Sequence, residues 1–242
     1  MGEKPPVANM DSLTDVHLEI NARESLTAAV ITRVNAACDR VEDAPKDVIL
    51  LVHLRDAPPV HAPSDGEPWP HEVGIHTVNQ WERAVRRLER LPAATLAVVE
   101  GNCTGLALEV LLATDYRVAA TSARLRVPAT VEGTWPGMAL FRLANQLGVA
   151  QVRRLVLFGI EIDAVRAAEL GLLDEVGEDA EALARAGLEI LGGGRGKELA
   201  IRRRLLLDAT CTSYEDALGS HLAACDRALR LAQRGLDAGT GL

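Results

Sequence analysis

One stretch constrains this chain more than any other: ATLAVVEGNCTGLALEVLLATD, residues 94–115. It opens on a short continuous apolar run, the pattern of a strand buried on both faces. A glycine-containing turn, EGNCTG, follows. From Gly105 to Thr114 the only ionisable group is then Glu109. On a helix, Glu109 shares its face with Leu106, Leu112 and Ala113, while Ala107, Leu108, Val110 and Leu111 lie elsewhere around the axis. A helix that is apolar all round is a buried helix. The carboxylate is therefore expected inside the protein, and a buried carboxylate is costly unless it is paired, hydrogen-bonded or protonated. Something in the fold has to hold it.

The rest of the chain supplies elements that can enclose such a helix. VHLEI (16–20) alternates like a strand, and Leu26, Val30, Val34, Ala37 and Val41 recur at helical spacing up to about Asp43. DVILLV (47–52) reads as a second buried strand. Residues 55–72 carry five prolines and a glycine and predict a long loop, a type of segment that is often functional in compact domains. Ile75, Val78, Trp81, Val85 and Leu88 then line one face of a helix. Beyond the central stretch, residues 116–129 read as extended structure broken at Pro128. Residues 133–159 turn at Pro136-Gly137 and become mostly helical. Asp163 is placed to cap a further helix. The last quarter is helical, interrupted by GGGRG (192–196). Strands alternate with helices in the first half and helices dominate the second, which predicts an α/β fold with one main sheet. The expected organisation is a loose tail over 1–14, a core over 15–191 and a helical region over 192–242.

Composition narrows the function. The chain has 242 residues, 48% hydrophobic and 25% charged, with a formal net charge of −8. That balance argues against nucleic-acid binding. No apolar run approaches the roughly 18 residues that span a bilayer, and MGEKPPVANM lacks a secretory core, so a soluble cytoplasmic protein is expected. Cys38, Cys103, Cys211 and Cys225 show no paired spacing, and the six histidines no metal-ligand spacing, so neither a disulfide framework nor a metal site is expected. His61 and His71 fall in the proline-rich loop and read as surface histidines. GGGRGK fails as a phosphate loop, because Leu191 stands where its first glycine belongs and Glu198 follows Lys197. IRRRLLL (201–207) reads as a solvated helix face, and Trp135 as a residue of the core or of a pocket.

Strand, glycine turn and helix together suggest what Glu109 does. The first amides of a helix have no intrahelical partner, and with the helix dipole they attract negative charge. The N–H of Leu106 can face an oxyanion while Glu109 sits one turn later on the same side. That arrangement suits proton transfer next to a carbonyl: the amide stabilises an enolate oxygen and the carboxylate takes or returns the α-proton. A structural ion pair to an arginine is the open alternative. A capping box is disfavoured, because Leu106 stands where Ser or Thr would be required.

VEGNCTGLALEVLLATDY resembles the signature of the enoyl-CoA hydratase/isomerase (crotonase) superfamily, V-N-G-x-A-x-G-G-G-x-E-L-A-x-x-C-D, without a gap from Val99 to Asp115. The likeness continues through ARLRVPATVEGTWPGMALFRLANQLG and LFGIEIDAVRAAELGLLDEV, covering about residues 95–177. It implies a crotonase-like spiral of ββα units with helical C-terminal elements, assembled as a homotrimer or hexamer. It also implies an acyl-CoA thioester as substrate, no separate cofactor, and enolate stabilisation by two backbone amides. Carried over by position, Leu106 gives one oxyanion amide and Glu109 is the first catalytic glutamate. The glycine usual at position 106 is Leu here. The second glutamate of the hydratases falls on Ala129 and is missing; Glu132, three residues on, is the candidate substitute. No A-G-A-D-like segment occurs in 55–72, so the second amide is unassigned, with 57–63 the expected place.

Within the superfamily, HTVNQWERAVRRLERLPAATLAVVEG followed by ALEVLLATDYR looks most like the hydratase-like component of the 3,5-dihydroxyphenylglycine pathway of glycopeptide antibiotics. That resemblance implies a lyase whose hydration or dehydration step aids a type III polyketide synthase in forming 3,5-dihydroxyphenylacetyl-CoA. The competing expectation is a catalytically degenerate member that serves the synthase as an auxiliary binding subunit.

Overall fold

Strands and helices alternate from the first described residue: β1 (Val16–Asn21), α1 (Ala28–Glu42), β2 (Ile49–Arg55), α2 (Ile75–Glu89), β3 (Ala94–Glu100), β4 (Asn102–Cys103), α3 (Gly105–Leu111) and β5 (Tyr116–Ala120). Short strands follow, β6 (Arg124–Leu125), β7 (Ala129–Thr130) and β8 (Gly133–Thr134). The chain continues through α4 (Ala139–Leu147), α5 (Val149–Phe158), β9 (Ile162–Asp163), α6 (Ala164–Glu169), β10 (Glu175–Gly177), α7 (Ala180–Leu191), α8 (Gly196–Asp208) and α9 (Tyr214–Gly239). This computed structural model describes residues 16–44, 48–57, 73–130, 133–134, 137–192 and 196–239.

The main sheet has five strands in the order β1-β2-β3-β5-β10, and every pairing in it is parallel. Parallel neighbours need a crossover, and α1, α2 and α3 lie within the first three. At the β1 edge, buried Val16, Leu18 and Ile20 alternate with exposed His17 and Glu19. The central strand β3 is buried on both faces, as its unbroken apolar sequence requires. Leu50, Val52, Leu54, Ala97 and Val99 join the core shared with α1, α2 and α3. Their neighbours Leu51, Leu96 and Val98 are equally buried but point to the other face. There α7 comes so close that a Cβ on Gly187 would meet Tyr116 Cδ1 at 3.1 Å and Leu96 Cδ1 at 3.2 Å.

A second, three-stranded sheet has the order β4-β6-β9, with β4 and β6 parallel and β6 and β9 antiparallel. In β3-β4-α3 a main-sheet strand, a small-sheet strand and a helix follow one another, a ββα unit of the crotonase-like spiral. The two-residue strands lie below the length at which alternation can be read. The stretch 116–129, expected to be extended with a break at Pro128, also breaks earlier, at a turn where Ala123 N–H donates to Ala120 O at 2.9 Å. The expected helix beyond Pro136-Gly137 divides into α4 and α5 at Gly148, whose φ is +82°. Asp163 caps α6, accepting from Arg166 N–H at 2.7 Å. Contacts divide the chain into two units, Met1–Gly196 and Lys197–Leu242. In the second, Glu198 of α8 accepts from Arg227 of α9 at 3.1 Å. Among the described residues no helix is long and apolar enough to cross a membrane.

Candidate active site

Glu109 lies in the middle of α3 at 1% exposure, with Leu106, Ala107, Leu108, Val110 and Leu111 buried around it. The carboxylate expected inside is inside, and a tryptophan holds it. The indole Nε1–H of Trp81, on α2, donates to Glu109 Oε2 at 2.5 Å. Trp81 is itself fully buried, and a buried indole requires an acceptor for its one donor. The indole N–H and Glu109 Oε2 thus satisfy one another.

The ends of α3 are fixed by separate devices. Thr104 precedes the helix in extended conformation, and Gly105 turns the chain into it at φ +54°, a value that glycine adopts without a Cβ penalty. The Thr104 side chain makes no capping hydrogen bond to the helix. The first amides, Leu106 among them, have no carbonyl one turn earlier within α3. Past the other end, Arg117 Nη2 donates to the carbonyls of Leu112 and Thr114, both at 3.0 Å, and Gln146 Nε2 donates to Leu112 O at 2.8 Å. Burial pushes the Arg117 pKa below its ordinary value, opposed chiefly by the Asp174 and Asp115 carboxylates. Asp115 ties the exit of α3 to β3: its Oδ2 accepts from the Thr95 amide at 2.8 Å and the Thr95 hydroxyl at 2.9 Å.

Beside the helix entry lies a polar knot. Asp56 accepts from Arg23 Nε and from Asn102 Nδ2, and the Arg23 hydrogen bond is the main reason its carboxyl titrates below the usual range. Asn21 Nδ2 holds the Ala57 carbonyl at 2.8 Å. Gly101 completes the knot: its φ is +84°, and a Cβ there would sit 2.9 Å from Asp56 Cβ. These contacts fix the point at which the proline-rich segment leaves β2.

Leu106 and Glu109 thus share one short buried helix. Ala129, where a second glutamate was looked for, lies in β7 opposite Thr134 of β8. Glu132, Trp135, His61, His71 and positions 58–63 of the suspected second-amide region lie outside the described residues. Cys38 and Cys103 are buried, and burial pushes their thiols up to about 11 and about 12. His53 stacks on His17 with ring centroids 6.0 Å apart, and burial lowers its pKa.

The partnership of Trp81 with Glu109 was missed in the sequence. A general signal existed: an indole on an apolar helix face and a carboxylate in an apolar helix each need a polar partner. Nothing local joined two residues 28 positions apart.

A parallel sheet, a small second sheet and a buried acid just inside a glycine-turned helix define an α/β protein of the crotonase type. The sequence model described as enoyl-CoA hydratase/isomerase matches residues 75–192. A protein of Amycolatopsis orientalis named Enoyl-CoA-hydratase is 43% identical over 214 residues, 88% of this chain and 95% of that protein. The chain belongs to the enoyl-CoA hydratase/isomerase family. Two solved structures agree on the fold. The enoyl-CoA hydratase from Bacillus anthracis superposes with a TM-score of 0.76 at 20% identity, covering 92% of this chain and 90% of that one. The enoyl-CoA hydratase from Shewanella pealeana gives 0.72 at 18%, covering 91% and 84%.

Proposed function

We propose that this chain is a crotonase-type lyase that acts on an acyl-CoA thioester through its enolate, with Glu109 as the proton-transfer group and the Leu106 amide as an oxyanion donor. One observation carries the reading. Glu109 is 1% exposed, yet it is held by a hydrogen-bond donor from another helix, one turn into a helix whose first amides have no intrahelical partner. An oxyanion donor of this kind is worth about 2.7–4 kcal/mol. The chemistry is acid–base and needs no cofactor beyond the CoA thioester itself.

More finely, the substrate is the product of a type III polyketide synthase. The step is the dehydration that leads to 3,5-dihydroxyphenylacetyl-CoA for glycopeptide antibiotic biosynthesis, carried out in the cytoplasm. The sequence likeness to the hydratase-like component of that pathway supports this, as does a site with one glutamate. A single base can remove the α-proton of an intermediate whose aromatisation drives loss of hydroxide. Ala129, in place of a second acid, favours the competing role of auxiliary subunit to the synthase. The chain works as a homotrimer or hexamer, a reading supported by large apolar side chains left exposed on α4 and α5, among them Phe141 at 54% and Phe158 at 70%.

The test supplies malonyl-CoA to the synthase alone, with the wild-type chain, or with Glu109→Gln, and measures aromatic acyl-CoA. A general acid–base group contributes about 10²–10⁴ in rate. The wild type is expected to stimulate product formation and the folded variant is not. Equal stimulation by both would establish the auxiliary role. No stimulation by either would remove the synthase from the account.

A further inference from the structure

We infer that Trp81 is a positioning residue for proton transfer: its indole N–H fixes the plane in which the Glu109 carboxylate meets the substrate. The inference rests on the reading of Glu109 given above.

The indole is a donor only and does not titrate near neutral pH. Bound to Glu109 Oε2 at 2.5 Å, it restrains the carboxylate without competing for the proton that Glu109 is to carry. A lysine or histidine in the same place would share that proton. The hydrogen bond therefore separates two jobs, holding and transferring, between two side chains.

Trp81 is equipped to hold because its own helix is clamped on both sides. Arg87 of α2 binds Glu42 and Asp39 of α1, with Nη2 at 2.6 Å from a carboxylate oxygen of each. The residue next to the tryptophan, Glu82, accepts from the Met138 amide at 2.8 Å and pairs with Arg142 of α4 at 3.3 Å. Arg142 also reaches Glu89 at 3.3 Å, with both side chains almost wholly buried. At the far side of the pair, α3 is held by Arg117 and Gln146. Donor and acceptor are thus each set in a rigid element, the condition under which a hydrogen bond restrains a side-chain orientation.

Trp81→Phe removes the N–H together with part of a fully buried ring, so its melting temperature is measured beside its activity to separate the lost hydrogen bond from the lost packing. In the synthase assay this variant is expected to lower maximal stimulation about tenfold to a hundredfold, the range for a hydrogen bond to a charged group. The chain concentration giving half-maximal stimulation is expected to stay within about twofold, because binding is not the step affected. A loss that instead tracks a lower melting temperature or a shifted half-maximal concentration would overturn the inference. So would full activity of Trp81→Phe beside a silent Glu109→Gln, which would leave the role of Glu109 intact. Full activity of Glu109→Gln would remove that role and the inference together. Should Trp81→Phe fail to fold, the indole N–H signal in a Trp69→Phe/Trp135→Phe background gives the answer without it. Glu109→Gln is expected to move that signal upfield, as a charged acceptor becomes neutral, and an unmoved signal would overturn the proposal.

Discussion

Gly101 shows how tightly single residues are specified around the entry to α3. It combines a φ of +84° with an approach that would bring a Cβ to 2.9 Å from Asp56 Cβ. Neither the backbone nor the neighbouring backbone-anchored Cβ can yield cheaply. Gly101→Ala is therefore expected to destabilise the fold by about 1–3 kcal/mol, the range for forcing extra volume into a packed site, read as a lower urea midpoint at unchanged slope. At this scale the sequence was partly legible. An isolated acid among aliphatic residues announces its own burial, so Glu109 could be found. Trp81, Asp56 and Arg142 could not, because each acts through a partner 28 to 60 residues away. No periodicity encodes which helix face meets which.

The helices tell a similar story one level up. The spacing of Trp81, Val85 and Leu88 placed α2 correctly, and all three are buried. Ile75 was expected on the same face but, as the first residue of the helix, is 83% exposed. The polar contacts of α2 matter as much as its apolar stripe. Arg142, 6% exposed, neutralises Glu82 and the buried Glu89 from α4. Removing Arg142 takes the cation from Glu82, while Glu89 keeps its pair with Arg86, and a carboxylate stranded in low dielectric costs more than losing the whole cluster. Arg142→Met is expected to lower stability by on the order of 3 kcal/mol, measured by chemical denaturation. Replacing Glu82 by Gln in the same chain should recover a large part of it. Because α2 carries Trp81, the Arg142 variant should also lose activity at temperatures where it is still folded.

For the molecule as a whole, alternating strand and helix patterns were enough to indicate an α/β fold with one main sheet, whose parallel pairing the structure supplies. Two-residue strands carry no pattern, so the second sheet, and with it the spiral, came only through the likeness to a known family. Surface chemistry raises the remaining question at this scale. In the first unit, Phe141, Val149, Leu157 and Phe158 are 54%, 67%, 66% and 70% exposed. Scattered apolar residues are ordinary on a surface, but several large ones on two consecutive helices are of the kind that another chain can cover. If copies of this chain cover them, cyclic assembly follows, since identical subunits close by symmetry. The chain is expected to sediment as a trimer or hexamer of the 25.9 kDa subunit. Phe158→Asp places a charge where a partner would have to desolvate it, so its mass should fall toward that of one subunit while far-ultraviolet dichroism stays unchanged. An unaltered mass for the variant would place the contacts between subunits elsewhere, and a wild-type monomer would leave these side chains to a different protein.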